Sequence, residues 1–173
     1  MSHPTRASNV RSDLRRRRSR VWSVIIESAV TRGRVPREAI RRVVESLGHK
    51  GTRGREVRVV MVSDSHMRRL NRDFRGKDKP TDVLAFPWGD SYPSTGEVKL
   101  IGEVYCNYDH ARRWSREHGG TITDELARLA VHGCLHLLGF DHHRPTDRKR
   151  MISAENRCLK TAGLLASNPD KSE

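Results

Sequence analysis

Hydrophobic and polar residues follow two different periods along this chain, which predicts a mixture of strands and helices. Short runs rich in β-branched residues, such as 57–62, have the length and composition of buried strands. Other stretches carry an apolar residue every three or four positions, as in a helix that starts near Pro36 and stops at Gly48. The pattern predicts strands at 21–27, 57–62, 83–86 and 98–106, and helices near 36–48, 64–74, 107–117, 123–138 and 147–162.

The order of these elements favours an α+β fold. Strands come mainly in the first two thirds of the chain and helices close it, so a doubly wound parallel sheet is not expected. We therefore predict one small mixed sheet of about four strands packed with about five helices. With 173 residues, the chain has the length of one domain. We place that domain at 21–163, between a disordered basic arm at 1–20 and a polar tail at 164–173.

The turn after the second predicted helix carries three cations. Asp64 is expected to cap that helix, and Gly76 and Pro80 predict a loop at 75–81. Arg75, Lys77 and Lys79 then lie in the loop. A guanidinium group binds phosphate with two parallel hydrogen bonds, and lysines add point charges. Ordinary solvated surface charge is the alternative interpretation, and it is equally compatible with the two lysines.

Three histidines within eleven residues are the strongest chemical signal. His132 and His136 are four residues apart, so a helix places them on one face, and a turn at Gly139 can bring His142 to the same point. Three imidazoles with a fourth position open are typical of catalytic zinc, whereas structural zinc normally has four protein ligands. We predict one Zn²⁺ per chain at these histidines. The alternative is a helix that happens to be rich in histidine.

The residue after the first histidine argues against a peptidase. In the H-E-x-x-H motif a glutamate at that place is the general base of a metalloprotease, but this chain has Gly133 there. Asp141 is a weak substitute. Because it adjoins His142, we expect it to orient an imidazole or to shape the turn rather than to deprotonate water.

The charge of the chain favours a polyanionic partner. The formal net charge is +13. Residues 1–20 contain seven arginines and one aspartate, so the other residues still carry +7. Both the arm and the folded part are therefore suited to RNA, and the arm is expected to add a salt-sensitive contact. Aromatic residues are few and do not follow a pattern typical of RNA stacking, so we expect an RNA groove to depend on charge and shape.

The cysteine and hydropathy patterns indicate a cytoplasmic protein without a membrane segment. The three cysteines, Cys106, Cys134 and Cys158, are scattered and odd in number, which is typical of a reducing compartment. The apolar stretch at 21–30 is too short and too polar to cross a bilayer or to serve as a signal peptide.

Two long motifs and a short one resemble the YbeY family of bacterial endoribonucleases. Residues 132–142 resemble its H-G-x-L-H-L-x-G-[FY]-D-H signature, residues 70–87 its L-N-x-x-[FY]-R-x-K-x-x-P-T-D-V-L-[SA]-F-P segment, and residues 101–104 its G-[DE]-[IV] strand. The resemblance implies a zincin-like α+β fold. It also implies that His132, His136 and His142 are the metal ligands and that Arg75 is the functional arginine.

On this basis we expect a zinc-dependent endoribonuclease for single-stranded RNA. The resemblance implies action on small-subunit rRNA and in ribosome quality control, with the small subunit and its assembly proteins as partners. The nucleophile is either a water activated by the metal or the 2′-hydroxyl of the substrate, and the residues leave both open. Two other classes remain: a non-catalytic, metal-stabilised RNA-binding assembly factor, and a metallohydrolase for peptides or small molecules.

Overall fold

The protein is described from a computed structural model that covers residues 22–31, 33–48, 50–88, 98–141 and 144–164. The predicted arm at 1–20 and the tail beyond residue 164 lie outside these residues. So does His142, the third predicted ligand.

The described residues form four strands and five α-helices, which confirms the α+β prediction. Each observed boundary lies within three residues of the predicted one. In chain order the elements are β1 (Ser23–Ser28), α1 (Arg37–Glu45), β2 (Arg55–Val62), α2 (Asp64–Arg75), β3 (Val83–Pro87), β4 (Lys99–Asn107), α3 (Tyr108–His118), α4 (Ile122–Leu137) and α5 (Pro145–Thr161).

The four strands make one mixed sheet in the order β1-β2-β4-β3. The first three strands in that order run parallel, and β3 lies antiparallel to β4 at one edge. In the register, Val59 pairs with Val104, and Arg58 pairs with Glu103. Because side chains alternate along a strand, these two pairs point to opposite sides of the sheet.

One side, which we call the helical face, carries the main core. Valines 57, 59 and 104 point to this side, as do Met61 and Cys106, and all are fully buried. Helices α1, α3, α4 and α5 supply the other half of this core. Since α4 contributes buried residues along most of its length, it is the central helix of the fold.

The other side, which we call the open face, is only partly covered. A small apolar cluster of Val60, Val62, Leu84 and Met67 packs under α2. Toward β1 the same face carries charged side chains instead, and Arg58 forms ion pairs of 2.8 Å with Glu103 and 3.3 Å with Glu27. A surface of this kind is typical of a sheet face in contact with water.

Two local predictions around α2 are wrong. Ser63, not Asp64, is the N-cap, and its hydroxyl accepts a hydrogen bond from the amide of His66. The Asp64 carboxylate instead pairs with Arg113 on α3, which holds the pKa of that carboxyl below its usual range. Arg75 is the last residue of α2 rather than a loop residue, because the helix continues until Gly76 adopts the left-handed conformation that ends it.

No helix within the described ranges combines the length and the apolar composition that a membrane-spanning segment needs.

Candidate active site

Helix α4 places the two predicted histidine ligands against the core. Its start is fixed by a capping box, in which Thr121 and Asp124 exchange side-chain and backbone hydrogen bonds. The buried residues that follow anchor the helix on the sheet. His132 and His136 lie one turn apart on a partly exposed stripe of this otherwise buried helix. The helix therefore presents both rings from a rigid support.

Gly133 is required by the close approach of α4 to the sheet. A Cβ atom at this position would overlap the side chain of Val104 on β4 and would lie 3.1 Å from Val83 on β3. Gly102 permits a second close approach, since a Cβ there would lie 2.7 Å from the Leu137 side chain. The packing therefore explains why no glutamate follows the first histidine: there is no room for one.

Each histidine is oriented by a second hydrogen-bond partner. The Nδ1 atom of His132 lies 2.6 Å from the carboxylate of Glu155 on α5. The Nδ1 atom of His136 lies 3.1 Å from the backbone carbonyl oxygen of Phe140, just beyond the end of α4. Partners of this kind, a carboxylate and a carbonyl, commonly fix the tautomer and orientation of metal-binding histidines.

These partners determine where the ring protons lie. A carbonyl oxygen can only accept, so Nδ1 of His136 must donate, and an ionised Glu155 requires the same of His132. With this tautomer both Nε2 atoms are acceptors, and they lie 3.1 Å apart. Two such atoms repel unless a proton or a metal ion lies between them. Two zinc ligands in tetrahedral geometry are about 3.3 Å apart, so the spacing fits a metal ion.

The third predicted ligand cannot be placed. His142 is outside the described residues, and among the described residues no three His, Cys, Asp or Glu side chains form a metal-binding group. Asp141 is described and exposed. Glu155 and the Phe140 carbonyl orient the two described histidines, and the orienting role expected of Asp141 stays a prediction. The ligand set of His132, His136 and His142 stays a prediction.

A buried ion pair lies one turn before His132 on the same face of α4. Arg128 donates to both carboxylate oxygens of Glu125, over 2.8 and 2.6 Å. Burial opposes the charge of the Arg128 guanidinium, but the hydrogen bonds and negative charge of Glu125 outweigh it and raise the pKa of Arg128. The arginine therefore keeps its charge, and Glu125 neutralises it, which leaves Glu155 to bind His132.

The neighbouring cysteines are not ligand candidates. Cys134 lies two residues from His132 but is fully buried in the core, as is Cys106 on β4. Burial raises the pKa of both thiols, so they stay protonated at neutral pH.

The predicted phosphate-binding cations lie at the end of α2. Gly76 ends the helix in the left-handed conformation, with its amide donating to the carbonyl of Arg72, and the Lys77 amide donates to the carbonyl of Asn71. The buried side chain of Asn71 donates to the carbonyl oxygen of Lys79 over 2.7 Å. Asn71 thus holds both ends of the turn. Arg75, Lys77 and Lys79 are exposed and, among the described residues, their side chains form no ion pair.

The structure brings the two described histidines together but places Arg75 on a different side of the sheet. His132 and His136 meet at their Nε2 atoms on the helical face. Arg75 belongs to α2, which packs on the open face, and no contact between Arg75 and either histidine is observed in the described part of the chain.

Two side chains that support the predicted site residues were given no role by the sequence interpretation. Glu155 is 4% exposed and lies among Met151, Ala154 and Cys158 on the buried side of α5. The sequence does contain a signal for Glu155, since it is a single carboxylate on the apolar face of a predicted helix. Asn71 is similar, a buried amide on the face of α2 that also carries Met67.

Comparison with known proteins places the chain in a family. The family profile described as Endoribonuclease YbeY matches residues 27–163. The chain belongs to the YbeY family. It is 38% identical to a protein named Endoribonuclease YbeY from Anaeromyxobacter sp. strain Fw109-5, over 84% of this chain and 74% of that protein. It is 32% identical to the protein of that name from Bacillus licheniformis, over 84% of this chain and 99% of the relative.

Two further similarities agree with the YbeY assignment. A Myxococcus xanthus protein named Endoribonuclease YbeY is 45% identical over 66% of this chain, a match that spans 39% of the Myxococcus protein. The solution structure of TM1509 from Thermotoga maritima superposes with a TM-score of 0.54 at 27% identity, covering 80% of this chain and 88% of that one. The zincin-like α+β fold expected from the motifs is consistent with YbeY membership.

Proposed function

We propose that this protein is a zinc-dependent endoribonuclease that cleaves single-stranded rRNA in maturation of the small ribosomal subunit and in ribosome quality control. Membership in the YbeY family supports the RNA substrate. The observation that carries metal dependence is the 3.1 Å separation of the two Nε2 atoms, each on a ring whose Nδ1 atom has its own partner.

In this proposal His132 and His136 hold one Zn²⁺ through Nε2, with His142 as the third ligand. Zinc held by three histidines lowers the pKa of a bound water toward neutrality and stabilises charge on a phosphate. Glu155 and the Phe140 carbonyl accept hydrogen bonds from Nδ1 of the two described imidazoles and so orient Nε2 of each ring for that purpose. Their contribution is to fix the site before substrate arrives.

Arg75 is proposed to bind the phosphate that is cleaved, with Lys77 and Lys79 on neighbouring phosphates. Their side chains have no ion-pair partner among the described residues, so binding RNA breaks no existing ion pair. Because Gly133 leaves no room for a carboxylate base on α4, a water near the metal or the 2′-hydroxyl of the RNA supplies the nucleophile. The proposed cytoplasmic location follows from the ribosomal substrate.

The test combines metal content with substrate choice. Purified protein is analysed for zinc and then incubated with a labelled rRNA precursor, with and without small subunits, and separately with casein. We expect one zinc per chain and cleavage of single-stranded RNA only. RNA binding without cleavage would indicate the non-catalytic assembly factor, and cleavage of casein would indicate a peptidase.

Substitutions of His136 and Arg75 test the role proposed for each residue. His136→Ala should lose both zinc and cleavage, while His118→Ala, an exposed histidine on α3, should lose neither. Arg75→Ala should keep its fold and zinc but cleave on the order of 100-fold more slowly. Arg75→Lys should be intermediate, because a point charge replaces a two-pronged donor. Full zinc occupancy in His136→Ala, or normal cleavage by Arg75→Ala, would contradict these assignments.

A further inference from the structure

The last turn of α2 exposes a large aromatic ring. Phe74 is 66% exposed, the highest value for a large hydrophobic residue in the described part of the chain, and Trp88 follows at 37%. Met67 and Leu70, on the same side of α2, pack into the small cluster on the open face. Phe74 follows Leu70 by one turn and contacts the edge strand β3, so one side of its ring is left in solvent.

The inner side of this ring is supported by two further aromatic residues. The Phe74 and Phe86 centroids are 4.8 Å apart with the rings tilted by 59°, and Phe86 meets Tyr105 edge-on at 5.6 Å. Tyr105 is fixed in turn by a 2.9 Å hydrogen bond from its hydroxyl to Glu103. Phe74, Phe86 and Tyr105, here called the aromatic cluster, therefore hold the exposed ring in a defined place.

The charges beside the exposed ring divide into two groups. Arg68 pairs with both carboxylate oxygens of Asp78, and Arg72 also lies within ion-pair distance of Asp78. Arg75, Lys77 and Lys79 have no such partner among the described residues. Asp73, the neighbour of Phe74 in the chain, lies 3.2 Å from Arg72. Both carboxylates of this segment, Asp73 and Asp78, are thus already paired with arginines, and Arg75, Lys77 and Lys79 leave an excess of positive charge.

We propose that Phe74 is a stacking platform for one unpaired base of single-stranded RNA whose backbone is held by Arg75 and the adjacent lysines. This proposal rests on the proposed function and adds a specific contact to it. An exposed, supported aromatic ring next to free cations is the combination that single-strand binding proteins use, with the base on the ring and the phosphates on the cations. The single sign of the free charges favours RNA over a protein surface, which normally offers both signs.

The test measures binding separately from cleavage. Affinity for a short single-stranded RNA is compared for the wild type and for Phe74→Ala, Phe74→Leu and Phe74→Trp. We expect Phe74→Ala to bind on the order of 10-fold more weakly, Phe74→Leu to be similarly weak because it lacks a π face, and Phe74→Trp to bind at least as well as the wild type. Trp114→Ala, which removes a surface aromatic on α3, is the control and should leave binding unchanged.

An abasic scan locates the base. One abasic nucleotide is moved along the RNA, and at one position the wild type should lose about the same factor that Phe74→Ala loses. Phe74→Ala should show no further loss at that position. Thermal unfolding of every variant is recorded alongside, and little change is expected, since two thirds of the Phe74 side chain is in solvent.

The outcomes separate this proposal from the proposed function. If the wild type cleaves RNA and Phe74→Ala or Phe74→Leu binds and cleaves as well as it does, stacking is overturned and the endoribonuclease stands. If the wild type cleaves nothing but the position-specific loss vanishes in Phe74→Ala, stacking stands and the catalytic assignment fails. If Phe74→Ala lost association with the small subunit but kept its RNA affinity, Phe74 would belong to a protein contact. If Trp114→Ala lost as much RNA affinity as Phe74→Ala, the effect would not be specific to Phe74. Either result overturns the proposal.

Discussion

The two faces of the sheet differ in what they hold and in how tightly they hold it. On the helical face, α4 lies so close to β3 and β4 that only glycine fits at position 133, and the two histidines are set on that helix. On the open face, α2 covers a small cluster and leaves Phe74 and Arg75 in solvent. Metal ligands need positions fixed to a fraction of an ångström, whereas a flexible polyanion can adjust to its cations. In the proposed function, each face therefore carries the task that its packing suits.

The strongest way to break this comparison is to loosen α4 from the sheet. Gly133→Ala should destabilise the fold by about 1–3 kcal/mol because its methyl group overlaps Val104, and Gly133→Glu should prevent folding. Urea unfolding measures both. In a Gly133→Ala/Val104→Ala double variant the loss should be smaller than the sum of the single losses. An alanine variant more stable than the wild type, as helix propensity alone predicts, would contradict the close packing.

A smaller effect is expected from removing the support of one histidine. Glu155→Gln should keep the fold but weaken zinc binding by about 10- to 100-fold, because a neutral amide accepts from Nδ1 of His132 more weakly than a carboxylate does and makes the imidazole a less basic ligand. Competition with a chelator measures this affinity. Ser153→Ala, on the exposed side of α5, is the matched control. Equal affinities for the two variants would remove Glu155 from the site.

The smallest expected effect concerns the open face at high pH. Burial, followed by the hydrogen bond to Glu103, raises the pKa of Tyr105 to about 12, whereas tyrosine in an unfolded chain titrates near about 10. The neutral phenol therefore stabilises the fold fully below about pH 10, and this contribution disappears as the pH rises to about 12. Tyr105→Phe should show a shallower fall of the unfolding temperature between these pH values. Parallel curves for the two proteins would contradict the assignment.

The sequence predicted the elements well because their signals are local. Alternation and three-to-four spacing gave the four strands and five helices, and the spacing of His132 and His136 gave their common face. Glu155 was missed because its partner is 23 residues away and only the packing of α5 on α4 brings them together. Phe74 was missed for a similar reason: it precedes Arg75 in the chain, but its support by Phe86 depends on the pairing of β3.

Two neighbouring residues, Ser63 and Asp64, were candidates for the N-cap of α2. Ser63 and Asp64 are both good N-cap residues, and the sequence alone does not decide between them. In the structure Asp64 pairs with Arg113, a residue 49 positions away, and Ser63 is the N-cap. The end of the same helix was predicted one residue too early, because the prediction placed Gly76 in the loop, whereas it is the left-handed residue that ends the helix after Arg75.

The hydrogen bonds of Asn71 have a consequence for ionic strength. Salt screens exposed ion pairs such as Arg68 with Asp78, but it has little effect on a buried amide that donates to a backbone carbonyl. The turn that carries Lys77 and Lys79 should therefore keep its shape over a wide range of salt. The slope of RNA affinity against salt concentration then counts the phosphates that the protein neutralises, with little contribution from unfolding of the turn.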